Sequence, residues 1–236
     1  MNSQNKILLP GLNRQAKFLF SKTKLTDKNI LIIGSNVGEI ANLISTKNPV
    51  NIQIIVEDYE SLISTKLVLD KEKNVNAKIM SFEHTDFIEE QFDCVYSQAS
   101  ISSPNRKNIV KEIKRILKPE GIFCIGEIVK LQKEIPTFVK DIFETSDIDP
   151  IEINDLEKYY LDRNFGLINS KDLSNSLNEF YSIVAELSKS KMKDLNENEK
   201  SYYKKFLNQM KHESHAFLKL GADKFIGFKI LILKKK

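Results

Sequence analysis

Short unbroken apolar runs alternate with stretches whose apolar residues recur every three or four positions through the first half of the chain. The runs Asn29–Ile33, Asn51–Val56, Ala77–Met80, Phe92–Ser97 and Ile122–Ile128 predict strands buried on both faces. Between them, Val37–Ser45, Tyr59–Leu69 and Pro104–Leu117 predict helices. In the last of these Ile109, Ile113, Ile116 and Leu117 share one face, and Pro104 stands where it begins the helix. Lys118–Gly121, "KPEG", reads as a turn. Helices near Thr137–Glu144 and Asn154–Asp162 and a strand at Phe165–Asn169 follow. From about Asp172 to Leu220 the pattern becomes long, polar and rich in Lys and Glu, predicting helices over Leu173–Met192 and Glu197–Lys219. Phe225–Leu233, "FIGFKILIL", closes the chain as a last strand.

Strands alternating with helices argue for βαβ units and a mostly parallel sheet covered on both faces. The expectation is a Rossmann-like α/β fold with seven strands, and an α-helical cap inserted before the last one. Strands stand on both sides of the polar helical region. The chain therefore divides into a helical segment at 1–28, a Rossmann-like domain at 29–171 and 222–236, and a helical cap at 172–221. The length of 236 residues suits one such domain with an elaboration.

Composition narrows the possible functions. Hydrophobic residues make up 41% of the chain, enough for a sizeable core and too many for a disordered protein. The net charge of +4 is dispersed, apart from the final "KKK", so nucleic acid is not an expected partner. Cys94 and Cys124 lie inside apolar runs and read as buried hydrophobes in a reduced compartment. The opening "MNSQNKILLPGLNRQ" lacks the apolar core of a signal peptide, and no apolar run is long enough for a membrane span. A cytoplasmic location is expected.

The chemistry concentrates at the carboxyl ends of the predicted strands, where open α/β sheets bind ligands. The first strand runs into Gly34, Ser35, Asn36, Val37 and Gly38, a turn in which bare glycine backbone lets a ligand approach closely. Asn36 tolerates left-handed backbone better than most residues. Glu57 follows the second strand directly, 19 residues after Gly38 and beside Asp58, where a carboxylate accepts hydrogen bonds from ribose hydroxyls. A nicotinamide dinucleotide would need Gly-x-Gly-x-x-Gly, and the loop offers Gly34, Asn36 and Glu39 at those positions.

In this order the pieces resemble the class I S-adenosylmethionine-dependent methyltransferases, in particular the small-molecule branch. The resemblance runs from about Asn29 to Gly166 and resumes at the last strand. It is carried by "NILIIGSNVGE", by "KIMSFEHTDFIEEQFDCVYSQASI" and by "IVKEIKRILKPEGIFCIGEI", the most specific of the three. It implies S-adenosylmethionine as cofactor, S-adenosylhomocysteine as product and a small-molecule methyl acceptor. The cofactor contacts it implies are Gly34, Ser35, Asn36, Gly38, Glu57, Asp58, Ser81, Phe82, Ser97 and Gln98. Three positions depart from the family pattern: Ile32 replaces an acid, Asn36 the middle glycine and Ser81 an aspartate. Those departures leave open an alternative, a methyltransferase-fold protein that binds a ligand or partner without catalysis.

Methyl transfer from a sulfonium needs orientation first, and a base only when the acceptor must lose a proton. Glu127, Tyr96 and His212 are the catalytic candidates, with Gln98 and Ser100 as further acceptor-side groups. Glu127 either serves an acceptor, satisfies a backbone amide or pairs with a lysine. His212 and His215 share a helix face with Glu213 between them, an incomplete set for a metal, and no metal is expected. The tyrosines of "KYY", Tyr181 and "SYYKKF" either surround an acceptor or pack the cap helices. The segment "ILLPGLNRQAKFLF" reads as a leading helix that closes over the cofactor. Phe18, Leu19 and Phe20 would point inward, and Arg14 either meets polar ligand atoms or lies on the surface.

Overall fold

The computed structural model describes residues 7–69, 74–194 and 210–236. The elements are α1 (Arg14–Lys22), β1 (Asn29–Ile33), α2 (Gly38–Ser45), β2 (Asn51–Val56), α3 (Tyr59–Val68), β3 (Val75–Ile79) and β4 (Phe92–Gln98). They continue with α4 (Arg106–Ile116), β5 (Leu117–Lys130), α5 (Thr137–Thr145), β6 (Ile151–Glu152), α6 (Leu156–Leu161), β7 (Phe165–Asp172) and α7 (Ser176–Asp194). A helix over 210–219, here α8, and β8 (Ile226–Lys235) complete the described chain. The predicted second cap helix is seen only over 210–219. Its earlier part and "SYYKKF" lie outside the described residues.

The sheet runs β3-β2-β1-β4-β5-β8-β7, with the two-residue β6 paired to β5. Strands β3, β2, β1, β4 and β5 are parallel, and β8 lies antiparallel between β5 and β7. The mostly parallel Rossmann-like arrangement expected from the sequence is therefore present, with seven strands along the main path and a short eighth.

Strand β1 sits at the centre, and Ile30, Leu31, Ile32 and Ile33 are all fully buried. Successive side chains point to opposite faces, so the run feeds two cores. Leu31 and Ile33 join Val95, Phe123 and Ile125 under α4, whose Ile109, Ile113 and Ile116 face them. Ile30 and Ile32 join Ile54, Cys94, Tyr96 and Cys124 under α1 and α2. Each fully buried aliphatic side chain of this kind stabilises the fold by roughly 1.5–3 kcal/mol. A third cluster gathers α5, α7 and α8 over β5 and β8, through Val139, Phe143, Leu177, Tyr181, Phe217, Phe228 and Ile230. Both thiols are buried, as their apolar surroundings predicted, and burial pushes Cys124 up to about 12.

One predicted turn is part of a strand. β5 begins at Leu117, and its pairing with β4 jumps from Phe92–Leu117 to Cys94–Ile122. Lys118–Gly121 is looped out within β5, with Glu120 left-handed at φ 62°. A side chain at Gly121 would meet the Lys118 carbonyl at 2.8 Å. Turn chemistry was read correctly there; the sheet simply continues through it.

A polar clamp fixes the loop between β3 and β4. Glu112 on α4 accepts from the Thr85 amide at 2.9 Å, from the Thr85 hydroxyl, and from Arg115. Arg115 in turn donates to the Phe87 carbonyl at 2.8 Å. Partial burial pushes the Glu112 carboxyl up, but these bonds outweigh it and hold the group at about 2, against 4.5 when free. A depressed carboxyl contributes stability that is complete above its unfolded value and lost as pH falls through the folded one. The protein should lose about 2–3 kcal/mol between pH 4.5 and pH 2 from this residue. Urea denaturation across that range should show a flatter acid limb for Glu112→Gln, with most of the loss already present at pH 7.

Candidate functional site

The carboxyl ends of β2 and β4 meet at a cleft of about 250 Å³. The turn after β1 lies against its Ser100, but Gly34, Ser35, Asn36 and Gly38 are not among the described lining residues. Glu57 at the end of β2, Phe82 and Glu83 from the following loop, and Ala99 and Ser100 after β4 form one side. Ser102, Ser103, Asn105 and Ile109, with Ser146, Asp147 and Ile148 after α5, form the other. The carboxylates of Glu57, Glu83 and Asp147 are the charged side chains lining it, and no Lys, Arg or His is among the described lining residues.

The glycine turn is built as a close approach. Gly34 has φ 130°, and its amide donates to the Ile55 carbonyl at 3.1 Å. A side chain at Gly34 would meet the Ser100 Oγ at 1.9 Å, so the turn and the post-β4 loop lie directly against each other. Asn36 is left-handed at φ 57° and exposed, as its residue type allows. Gly38 serves packing: a Cβ there would meet Val68 Cγ2 at 2.3 Å and the Thr65 carbonyl at 3.1 Å on α3. The Ser35 and Ser61 hydroxyls are bonded at 2.8 Å, which ties the turn to α3.

Glu57 is exposed in the cleft, and the Phe82 amide reaches its Oε1 at 3.4 Å. Asp58 instead caps α3, accepting from the Ser61 amide at 2.7 Å and its hydroxyl at 2.6 Å. Phe82 is 95% buried and belongs to the core under α4, with only its edge at the cleft. Ser81 is exposed outside the lining and accepts from the Glu83 amide at 3.2 Å. Ile32 fills the core under α1 and α2, where an acid would be buried without a partner.

Several strand-end candidates point away from the cleft. Gln98 is fully buried; its amide donates to the carbonyls of Pro10 at 2.6 Å and Leu12 at 2.8 Å, and its oxygen accepts from Tyr96. Tyr96 is fully buried in the core under α1 and α2, and burial raises its phenol well above the usual value. Ser97 is fully buried, and its carbonyl accepts from the Gln15 amide at 2.8 Å. These residues fasten the N-terminal segment to the sheet. Period-two alternation sends Tyr96 and Gln98 to that face, and a sequence cannot say which face carries the ligand.

Glu127 is also a correction. It is fully buried, accepts from Arg106 Nε at 2.7 Å and from the Tyr160 hydroxyl, and is therefore shut off from any acceptor. Burial raises its carboxyl above the usual range, against the pull of Arg106. His212 and His215 lie on the exposed face of α8, so His212 cannot serve the cleft. The inward residue is Glu213, which accepts from the cleft-lining Ser146 hydroxyl at 2.5 Å. Tyr181 stacks on Phe217 with ring centroids 4.4 Å apart, a packing role. Leu19 is buried, while Phe18 and Phe20 are half-buried. Arg14 pairs on the surface with Glu179 of α7 at 2.7 Å. Among the described residues no group of three or more His, Cys, Asp or Glu side chains could hold a metal, and no helix is long and apolar enough to cross a membrane.

Residues 31–125, which carry β1 to the middle of β5 and most of this cleft, match the methyltransferase domain family. Over its described residues the chain has the fold of the class I methyltransferases. S-adenosylmethionine is the cofactor of that class. A putative sarcosine dimethylglycine methyltransferase from Galdieria sulphuraria superposes with a TM-score of 0.76 at 18% identity, over 95% of this chain and 84% of that one. The [4+2]-cyclase SpnF superposes with 0.74 at 17%, over 94% and 80%. A phosphoethanolamine N-methyltransferase 2 from Haemonchus contortus, in complex with S-adenosylmethionine, gives 0.79 at 15%, over 98% of this chain and 54% of that one. No curated protein sequence matches the chain.

Sequence reasoning missed Glu83, Asp147, Ser102, Ser103, Asn105 and Ser146 in the lining of this cleft. The serine-rich "ASISSPN" after β4 was a usable signal for half of them; "SDID" after α5 carried none. The glycine turn yields a direct test. Gly34→Ala should destabilise the protein by about 2–3 kcal/mol, from the contact with Ser100 and from its backbone angle. In a Ser100→Gly background the contact disappears and about 1–2 kcal/mol should remain, measured by chemical denaturation of the four proteins.

Proposed function

We propose that the protein is an S-adenosylmethionine-dependent methyltransferase acting on a small-molecule acceptor. The observation that carries this reading is the placement of Glu57 in the cleft beside the left-handed Gly34 turn, at the carboxyl edge of a parallel sheet. The residues fit the cofactor: Gly34 offers backbone with no side chain, Glu57 a carboxylate for a ribose diol, and Phe82 an aromatic edge for the base. Asp58 and Gln98 are engaged elsewhere, Ser97 is fully buried and held through its carbonyl, and Gly38 acts through helix packing. The cofactor supplies an activated methyl group on a sulfonium.

The protein's own part is orientation and exclusion of water, which can be worth ~7–11 kcal/mol in favourable cases. The Ser102 and Ser103 wall and the Ser146–Ile148 wall stand opposite the cofactor side, and offer the Ser103 hydroxyl and the Asp147 carboxylate to an acceptor. Any acceptor proton passes to Asp147, Glu83 or solvent, because Glu127 and Tyr96 are closed off. A cleft whose lining charges are all carboxylates favours a neutral or cationic acceptor over an anion. In this reading residues 172–221 are the cap, which reaches the acceptor wall through the Glu213–Ser146 bond. Small-molecule substrates are also what the relatives' names describe, an amino acid derivative in one case and a phosphoethanolamine in the other.

Calorimetric titration with S-adenosylmethionine and S-adenosylhomocysteine tests the reading. Micromolar binding should fall at least tenfold in Glu57→Gln and stay unchanged in His212→Ala. A folded wild type that binds neither molecule refutes methyl transfer and leaves binding of another ligand without methyl transfer.

A further inference from the structure

The two sides of the cleft are held by two separate arginine–glutamate pairs. Arg115 and Glu112 fasten the loop that carries Phe82 and Glu83. The second pair, Arg106 and Glu127, is 4% and 0% exposed and serves the opposite wall. Arg106 is the first residue of α4, directly after the loop with Ser102 and Ser103. Its Nε donates to Glu127 at 2.7 Å, while its Nη2 donates to the Asp149 carbonyl and its Nη1 lies 3.7 Å from the Asp149 carboxylate. Asp149 follows Ile148 of the other wall segment, and its amide donates to the Ser102 carbonyl at 2.9 Å. The Ser102 hydroxyl accepts from the Ile128 amide at 3.1 Å, next to Glu127. One guanidinium therefore joins both acceptor-side segments to the end of β5.

A buried ion pair is weak evidence for stability, because desolvation offsets most of its attraction. A planar fork with several donors in fixed directions is well suited to setting geometry. We propose that Arg106 is a positioning residue for the acceptor side: it locks the 102–105 and 146–149 segments into one wall, and leaves the cofactor side to the Arg115 pair. Glu127 orients the guanidinium and Tyr160 completes the carboxylate's bonds. This rests on the methyl-transfer reading for its acceptor, but the coupling of the two segments does not.

Arg106→Met alone leaves Glu127 buried without a partner and can fail to fold. The informative protein carries Arg106→Met, Glu127→Leu and Tyr160→Phe together, which removes the guanidinium, the carboxylate and the phenol at once and leaves no buried charge unpaired. It should melt at or near the wild-type temperature. Hydrogen exchange of the Asp149 and Ile128 amides should accelerate at least tenfold, while the Thr85 amide on the other wall is unchanged. S-adenosylhomocysteine affinity should stay within twofold. With an acceptor found by screening S-adenosylmethionine turnover, KM for the acceptor should rise at least tenfold and KM for the cofactor should not. Wild-type exchange at Asp149, or an unchanged acceptor KM in the stable variant, overturns the proposal. Loss of affinity for S-adenosylhomocysteine in the variant overturns the division between the two walls. Absence of that affinity in the wild type is a separate result, which refutes methyl transfer while the exchange data still decide the coupling.

Discussion

The pairing of β1 between β2 and β4 is the constraint on which the rest of the structure depends. A parallel strand in that position has no solvent-facing side, so Ile30 to Ile33 must be apolar throughout and helices must cover both faces. The same pairing brings the carboxyl ends of three strands to one edge. Gly34, Glu57 and Ser100 are far apart in the chain, yet they become neighbours for that reason alone. The contact between the Gly34 turn and Ser100 is the clearest product of it, since only a residue without a side chain fits there.

Polar groups in this fold divide into those that hold the frame and those that face the cleft. Gln98, Tyr96 and the Ser97 carbonyl, with Gln15, fasten the N-terminal segment and α1. Glu112 with Arg115, and Glu127 with Arg106, hold the loops. What faces the ligand side is smaller and simpler: carboxylates, serines and backbone. That division suits a reaction in which the donor is already activated and the protein's task is placement. It also accounts for the absence of a triad or a buried base among the described residues that line the cleft.

Ile32, Asn36 and Ser81, the departures from the family pattern, have local physical accounts. Ile32 packs in a core that tolerates no unpaired acid, Asn36 takes a left-handed angle that Asn supports, and Ser81 holds the loop that follows it. Each keeps the frame intact. In the proposed reading, cofactor recognition then rests on Glu57 and the backbone of the turn.

The sequence alone determined the order of strands and helices, the parallel sheet, the burial of both cysteines, and the places where Gly34 and Glu57 stand. Those features are local: a run of apolar residues, a turn glycine and the residue after a strand are visible in a few neighbouring letters. Tertiary structure alone decided which polar residues reach the cleft. Side chains alternate faces along a strand, so Tyr96 and Gln98 were near the right edge and on the wrong side. Glu127 and Arg106 lie 21 positions apart, and only folding made them a pair with 5% or less of either side chain exposed. His212 was placed by the turn of a helix whose inward face belongs to Glu213, Ala216 and Phe217. Asp147 joined the site because α5 ends beside the loop after β4, a contact that no short stretch of the chain encodes.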